Sequence, residues 1–153
     1  MSILAVIDTN VIVSALISKH ADSATVMILD SIFRGLITPI YNDDIINEYD
    51  LVLRRSKFHF SEDKIKAVIA TIKAKGIHSE RIDSGEIVPD PKDLVFYEVA
   101  LSKEDSFLIT GNIKHFPKKP FIVTPAEMLT ILIEMAANDK RLLNEPAAFY
   151  GIR

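Results

Sequence analysis

Ile3-Leu4-Ala5-Val6-Ile7-Asp8-Thr9-Asn10-Val11 is the stretch that decides the fold class of this 153-residue chain. Five consecutive apolar residues with no polar alternation describe a strand buried on both faces, as in a parallel sheet covered by helices. The run stops at Asp8-Thr9-Asn10, residue types that favour strand ends and helix N-caps. Val11, Ile12, Ala15 and Leu16 then recur at helical spacing. Strand, acidic turn and helix follow one another with no loop to spare.

Outward from that unit the same alternation repeats. The spacing predicts a helix from about Ser23 to Phe33, ended by Gly35. A strand over Leu36–Ile40 follows, near a sheet edge because of Pro39. Asn42 or Asp43 caps a helix whose apolar set is Ile45, Ile46, Tyr49, Val52 and Leu53. Ser61 opens another, with Ile65, Val68, Ile69 and Ile72 on one face, and Gly76 closes it. Residues 77–88 carry scattered apolar positions and predict one short strand and a loop. Asp90-Pro91 begins a helix to about Lys103, and Phe107–Thr110 and Phe121–Val123 are further buried strands. Thr124-Pro125-Ala126-Glu127 combines an N-cap, a proline at the first helical position and a capping-box acid, so a helix should run to about Asn138. Residues 139–153 are mixed in polarity and are expected to be only partly ordered. This alternation predicts a single α/β domain, 1–153, with a mainly parallel sheet flanked by helices on both faces.

Composition narrows the function. Hydrophobic residues make up 48% and charged residues 25%, which excludes general disorder and collagen-like repeats. No apolar run approaches the ~20 residues of a membrane helix. The start of the chain lacks a basic segment and a small-residue cleavage site, so export is not expected. Cysteine is absent. That removes disulfides, thiolate catalysis and thiolate zinc sites, and suits a reducing cytoplasm. The net charge of −3 is unlike a basic nucleic-acid scaffold, so nucleic acid would have to meet a local basic patch.

Ligands of open parallel sheets sit outside the carboxyl ends of the strands. Three polar segments can reach such ends: Asp8-Thr9-Asn10, Asp90 to Asp93, and Thr110-Gly111-Asn112. Asp8 follows the buried run directly. Asp93 fits the N3 position of a helix capped by Asp90, yet it shares a helical face with Phe96, Tyr97 and Ala100, where a carboxylate needs a partner. Glu48 lies just outside the apolar arc of its helix, beside Val52, and Asp44 lies one turn earlier. Each acid also has an ordinary structural explanation as a cap, a turn residue or a solvated flank. Together they make a hard-cation site plausible, because Mg²⁺ and Mn²⁺ take oxygen ligands and keep several waters.

In these residues the chain resembles the PIN-domain nucleases, and most nearly their small VapC-like toxins. The resemblance rests on Ile7-Asp8-Thr9-Asn10-Val11, Asn47-Glu48-Tyr49, Asp90-Pro91-Lys92-Asp93 with Ala100, and Leu108-Ile109-Thr110-Gly111-Asn112. It runs from Ile3 to about Leu132. It implies a metal-dependent endoribonuclease that uses Mg²⁺ or Mn²⁺, acting as the toxin of a type II toxin–antitoxin pair. It assigns Asp8, Glu48 and Asp93 as catalytic metal ligands, supported by Thr9, Asn10, Thr110, Asn112 and Asp90. Many relatives carry a fourth acid where this chain has Asn112. That departure implies a weaker second metal, or one metal only, and slower turnover.

An RNA substrate needs cations. Lys114, His115, Lys118 and Lys119 follow the Asn112 turn and are the expected phosphate contacts. Arg54, Arg55 and Lys57 end a helix, where the helix dipole alone favours positive charge. The resemblance further implies an antitoxin protein as partner and allows a homodimer. Two rivals stand beside this reading: a catalytically weak or inactive RNA-binding module, and an aspartyl phosphotransferase or phosphatase with Asp8 as nucleophile. There is no glycine-rich phosphate loop, so nucleotide-cofactor use has no support.

Overall fold

Pairing between the first strand and its neighbours sets the architecture. The computed structural model describes residues 2–143, with side chains described to Asp139. In chain order the elements are β1 (Ile3–Ile7), α1 (Thr9–Ile17), α2 (Ala24–Phe33), β2 (Ile37–Tyr41), α3 (Asp43–Leu53), α4 (Glu62–Lys75), β3 (Ile77–His78), α5 (Leu94–Leu101), β4 (Phe107–Ile109), β5 (Ile122–Val123) and α6 (Pro125–Leu143). Short 3₁₀ turns occupy Ser56–Phe58, Pro91–Asp93 and Ile113–His115.

All five strands are parallel and lie in the order β3-β2-β1-β4-β5. The chain builds outward from β1 to β2 and β3, then crosses back to place β4 on the other side of β1. The carboxyl ends of β1 and β4 are therefore adjacent at the point where strand order reverses. There the flanking connections diverge and leave a crevice. Asp8 donates its backbone N–H to the Ile109 carbonyl at 2.9 Å, which fixes this junction. Helices cover both faces of the sheet, as expected.

The core explains the apolar runs. Ala5, Val6, Ile7, Leu108 and Ile109 are all at or below 1% exposure, and Phe96, Val99 and Tyr49 close over them. Tyr49 donates its hydroxyl to the Ile7 carbonyl at 2.5 Å, pinning α3 to the last residue of β1. Burial raises the ionisation of that phenol well above its ordinary value, so it remains a neutral donor.

Caps fall where the side chains require them. Asn42 accepts from Ile45 N at 2.9 Å, Ser61 from Lys64 N at 3.1 Å, and Thr124 and Glu127 form a reciprocal capping box. Pro39 lies next to the edge strand. Pairing of β2 with β3 begins only at Ile40, so the missing proline N–H interrupts no ladder bond with β3.

Some boundaries differ from the sequence expectation. The helix expected from Pro91 to Lys103 is a 3₁₀ turn followed by α5, which stops at Leu101; residues 102–106 turn sharply, with Asp105 at φ 61°. The last helix runs past Asn138 to Leu143. A tail was expected from residue 139, but 139–143 continue the helix, and residues 144–153 lie outside the described residues. Among the described residues no helix is long and apolar enough to cross a membrane.

Candidate active site

Asp8 occupies the N-cap position of α1, but its side chain caps nothing. Its Oδ2 instead accepts from the Thr110 hydroxyl at 2.7 Å and from Asn10 Nδ2 at 3.2 Å. Thr110 in turn accepts from Asn112 N at 2.9 Å, so its proton is committed to Asp8. Asn10 Oδ1 accepts from Gly111 N at 3.2 Å, which ties the end of β1 to the turn after β4. A buried carboxylate is thus held in one orientation by groups from both strands of the switch point.

Burial raises the Asp8 pKa to about 6. The Thr110 hydrogen bond opposes that rise and the charge of Asp93 adds to it. Asp93 heads α5 without capping it. Its pKa is also raised, by desolvation first and then by Asp90. Its Oδ2 lies 3.4 Å from His115 Nδ1, which works against the shift. Asp90 takes the capping role, accepting from Lys92 N at 3.0 Å.

A cavity of about 670 Å³ opens at this junction, within the range of ordinary ligand sites. Asp8, Thr9, Asn10, Glu48, Asp90, Asp93, Asn112 and His115 all line it. Glu48 reaches it from α3 together with Val52, as its border position on the helix predicts. Asp44, on the same flank, lines a neighbouring smaller cavity instead.

The three acids share a cavity without forming a tight cluster. Among the described residues no three His, Asp or Glu side chains are grouped closely enough to cage a metal ion. The donor set nevertheless fits a hard divalent cation. Asp8, Glu48 and Asp93 offer carboxylate oxygens, Asn112 an amide, and the buried Thr9 Oγ1 has no hydrogen-bond partner among the described residues. Such a cation would keep much of its water shell here, as Mg²⁺ commonly does.

The expected phosphate contacts separate. His115 lines the cavity, and Lys114 lines a smaller one beside Asn112 and Thr124. Lys118 and Lys119 are exposed and line neither. Sequence reasoning missed Arg55, Lys92 and Phe58, all on the wall of the main cavity. Arg54 and Arg55 look alike in sequence but differ in role: Arg54 is ion-paired with Asp50 and Glu62, whereas Arg55 makes no ion pair among the described residues. The signal that separates them is the i, i+4 acid before Arg54.

A family model of the PIN domain matches residues 4–114, well over half of the sequence, and the chain belongs to that family. PIN domains are generally nucleases that use divalent metals. No curated protein and no solved structure matches the chain.

Proposed function

We propose that this protein is a divalent-metal-dependent endoribonuclease, with Asp8, Glu48 and Asp93 as ligands of Mg²⁺ or Mn²⁺. One observation carries the reading. Asp8, buried and fixed by Thr110 and Asn10, shares a cavity at the strand-order reversal with Asp93 and Glu48, and both aspartates are shifted upward. Two acids held where each raises its own cost of ionisation need a compensating positive charge. Structural caps would not, and neither aspartate caps its helix.

A bound divalent cation acidifies a coordinated water and offsets charge that builds on the scissile phosphate. Thr110 and Asn10 hold Asp8 in one rotamer for that task, and Tyr49 holds α3 so that Glu48 faces the same space. His115, whose Nδ1 lies 3.4 Å from Asp93, is with Lys92 a contact for RNA phosphates at the cavity. Lys114, Lys118 and Lys119 serve RNA farther along the same edge. The VapC-like resemblance supports a role as the toxin of a toxin–antitoxin pair in the cytoplasm, inhibited by an antitoxin and able to form a homodimer.

Asn112 favours a second reading. It brings an amide rather than a charge to the cavity, which supports weak catalysis or RNA binding alone. RNA digestion in Mn²⁺ separates the two. The first reading expects cleavage by the wild type, loss in EDTA and in Asp8→Asn, and a gain in Asn112→Asp. RNA that is bound yet never cut selects the second. Cleavage that persists in EDTA refutes the metal assignment.

A further inference from the structure

The cavity extends well beyond its carboxylates. On α1 its wall includes Val13 and Ile17, and on α3 it runs from Glu48 through Val52 to Arg55, just past the helix end. Spacings of four residues keep Val13 with Ile17 and Glu48 with Val52 on one face of their helices, so two stripes form the sides of a trough. From Glu48 to Val52 its side runs about 6 Å, taking the helical rise per residue, and Arg55 lies beyond. One end carries the acids. The other mixes Val13, Ile17, Val52 and Phe58 with the hydroxyls of Ser14 and Ser18.

That end is unusual in two ways. Ile17 is 52% exposed, an aliphatic side chain left facing solvent beside a charged site. Phe58 is held firmly, stacked on Phe60 with ring centroids 5.6 Å apart and planes 17° from parallel. Two cations lie beside it in sequence, and one of them sits over its ring. Arg55 makes no ion pair among the described residues, and Lys57 Nζ lies 5.1 Å from the Phe58 ring centroid. Cleavage of a phosphodiester bond needs none of these groups. They suit a flat apolar ring joined to an anion.

We propose that this end of the trough is a nucleobase subsite. It holds one unpaired base beside the scissile phosphate among Val13, Ile17, Val52 and Phe58, with Arg55 on the adjoining phosphate. The inference rests on the nuclease reading of the same cavity, and the subsite takes an unpaired base, since a base inside a duplex has its faces covered. Contacts to an apolar wall and an aromatic ring discriminate weakly between bases, so the subsite favours unpaired positions without a strict sequence code.

The test is binding of uncleavable 2′-O-methyl trinucleotides in Mg²⁺, followed through the methyl NMR signals of Val13, Ile17 and Val52. Those methyls are expected to shift on titration. Phe58→Ala is expected to weaken binding about tenfold, whereas Phe58→Tyr, which keeps the ring and guards against misfolding, binds as the wild type does. Arg55→Ala should weaken binding and lower its salt dependence by about one phosphate contact. Unmoved methyls, undiminished binding by Phe58→Ala, or an equal response to a sulfated sugar polymer without bases would overturn the subsite. Because nothing is cut in this assay, the two claims fail separately. A chain that binds here but digests no RNA loses the nuclease reading only, and a chain that digests RNA with these methyls unmoved loses the subsite only.

Discussion

Asp8→Asn should stabilise the metal-free protein at neutral pH even though it removes a proposed catalytic group. The carboxyl moves from an ordinary 3.8 to about 6 on folding, chiefly through burial. Holding it ionised in the folded state at pH 8 therefore costs about 3 kcal/mol. Because the folded value is the higher one, the protonated form suits the fold. The part of the stability linked to Asp8 is fully present below about pH 4 and is lost as pH rises through 6. Asparagine stays neutral at every pH, and its Oδ1 can accept from Thr110 and Asn10 as Asp8 Oδ2 does. Desolvation of the new amide offsets part of the gain, leaving about 1–3 kcal/mol, or roughly 5 °C in melting temperature for a chain of this size. Thermal melts followed by circular dichroism in EDTA at pH 4 and pH 8 measure the difference. The variant should melt with the wild type at pH 4 and above it at pH 8, and saturating Mn²⁺ should narrow the gap by stabilising the wild type alone. A variant less stable at pH 8, or one that gains equally at both values, refutes the electrostatic account of Asp8.

Three further outcomes follow from particular contacts. Thr110→Val removes the donor to Asp8 and the acceptor for Asn112 N; it should push the Asp8 carboxyl still higher in an NMR titration and cost about 1–3 kcal/mol in chemical denaturation. Gly76→Ala puts a methyl 2.5 Å from the carbonyl oxygens of both Ile72 and Pro39, so β3 must shift, with a loss of about 1–3 kcal/mol in the same assay. Arg81→Ala strips the ion pair from Glu98, whose side chain is only 4% exposed; the two Ser84 hydrogen bonds at 2.7 Å remain. That variant should lose about 2–3 kcal/mol and speed amide exchange across residues 79–89.

The strands and their order of use were legible because buried parallel strands leave continuous apolar runs. Ile3–Ile7 and Phe107–Ile109 read directly, and the polar residues at their ends, Asp8 and Thr110, followed from strand polarity. Glu48 was legible as a border position on an amphipathic helix. Other features depend on contacts between distant residues that no local spacing encodes. Glu98 sits inside the otherwise apolar α5 and finds Arg81 and Ser84 across an irregular connection. Phe58 faces the cavity only because a 3₁₀ turn follows α3. The end of α5 at Leu101 was missed for a related reason. The left-handed backbone at Asp105 and the Ser106 hydroxyl bond to the Ala100 carbonyl at 2.6 Å turn the chain into β4, and neither has a strong sequence signature.

Mn²⁺ binding at equilibrium, measured by titration calorimetry, tests the central claim most directly. Wild type should bind one ion per chain at micromolar to millimolar concentration. Asp8→Asn and Asp93→Asn should each abolish that binding, and Glu48→Gln should weaken it. Absence of Mn²⁺ binding by the wild type, or affinity untouched by all three substitutions, would contradict the assignment of these acids to one metal.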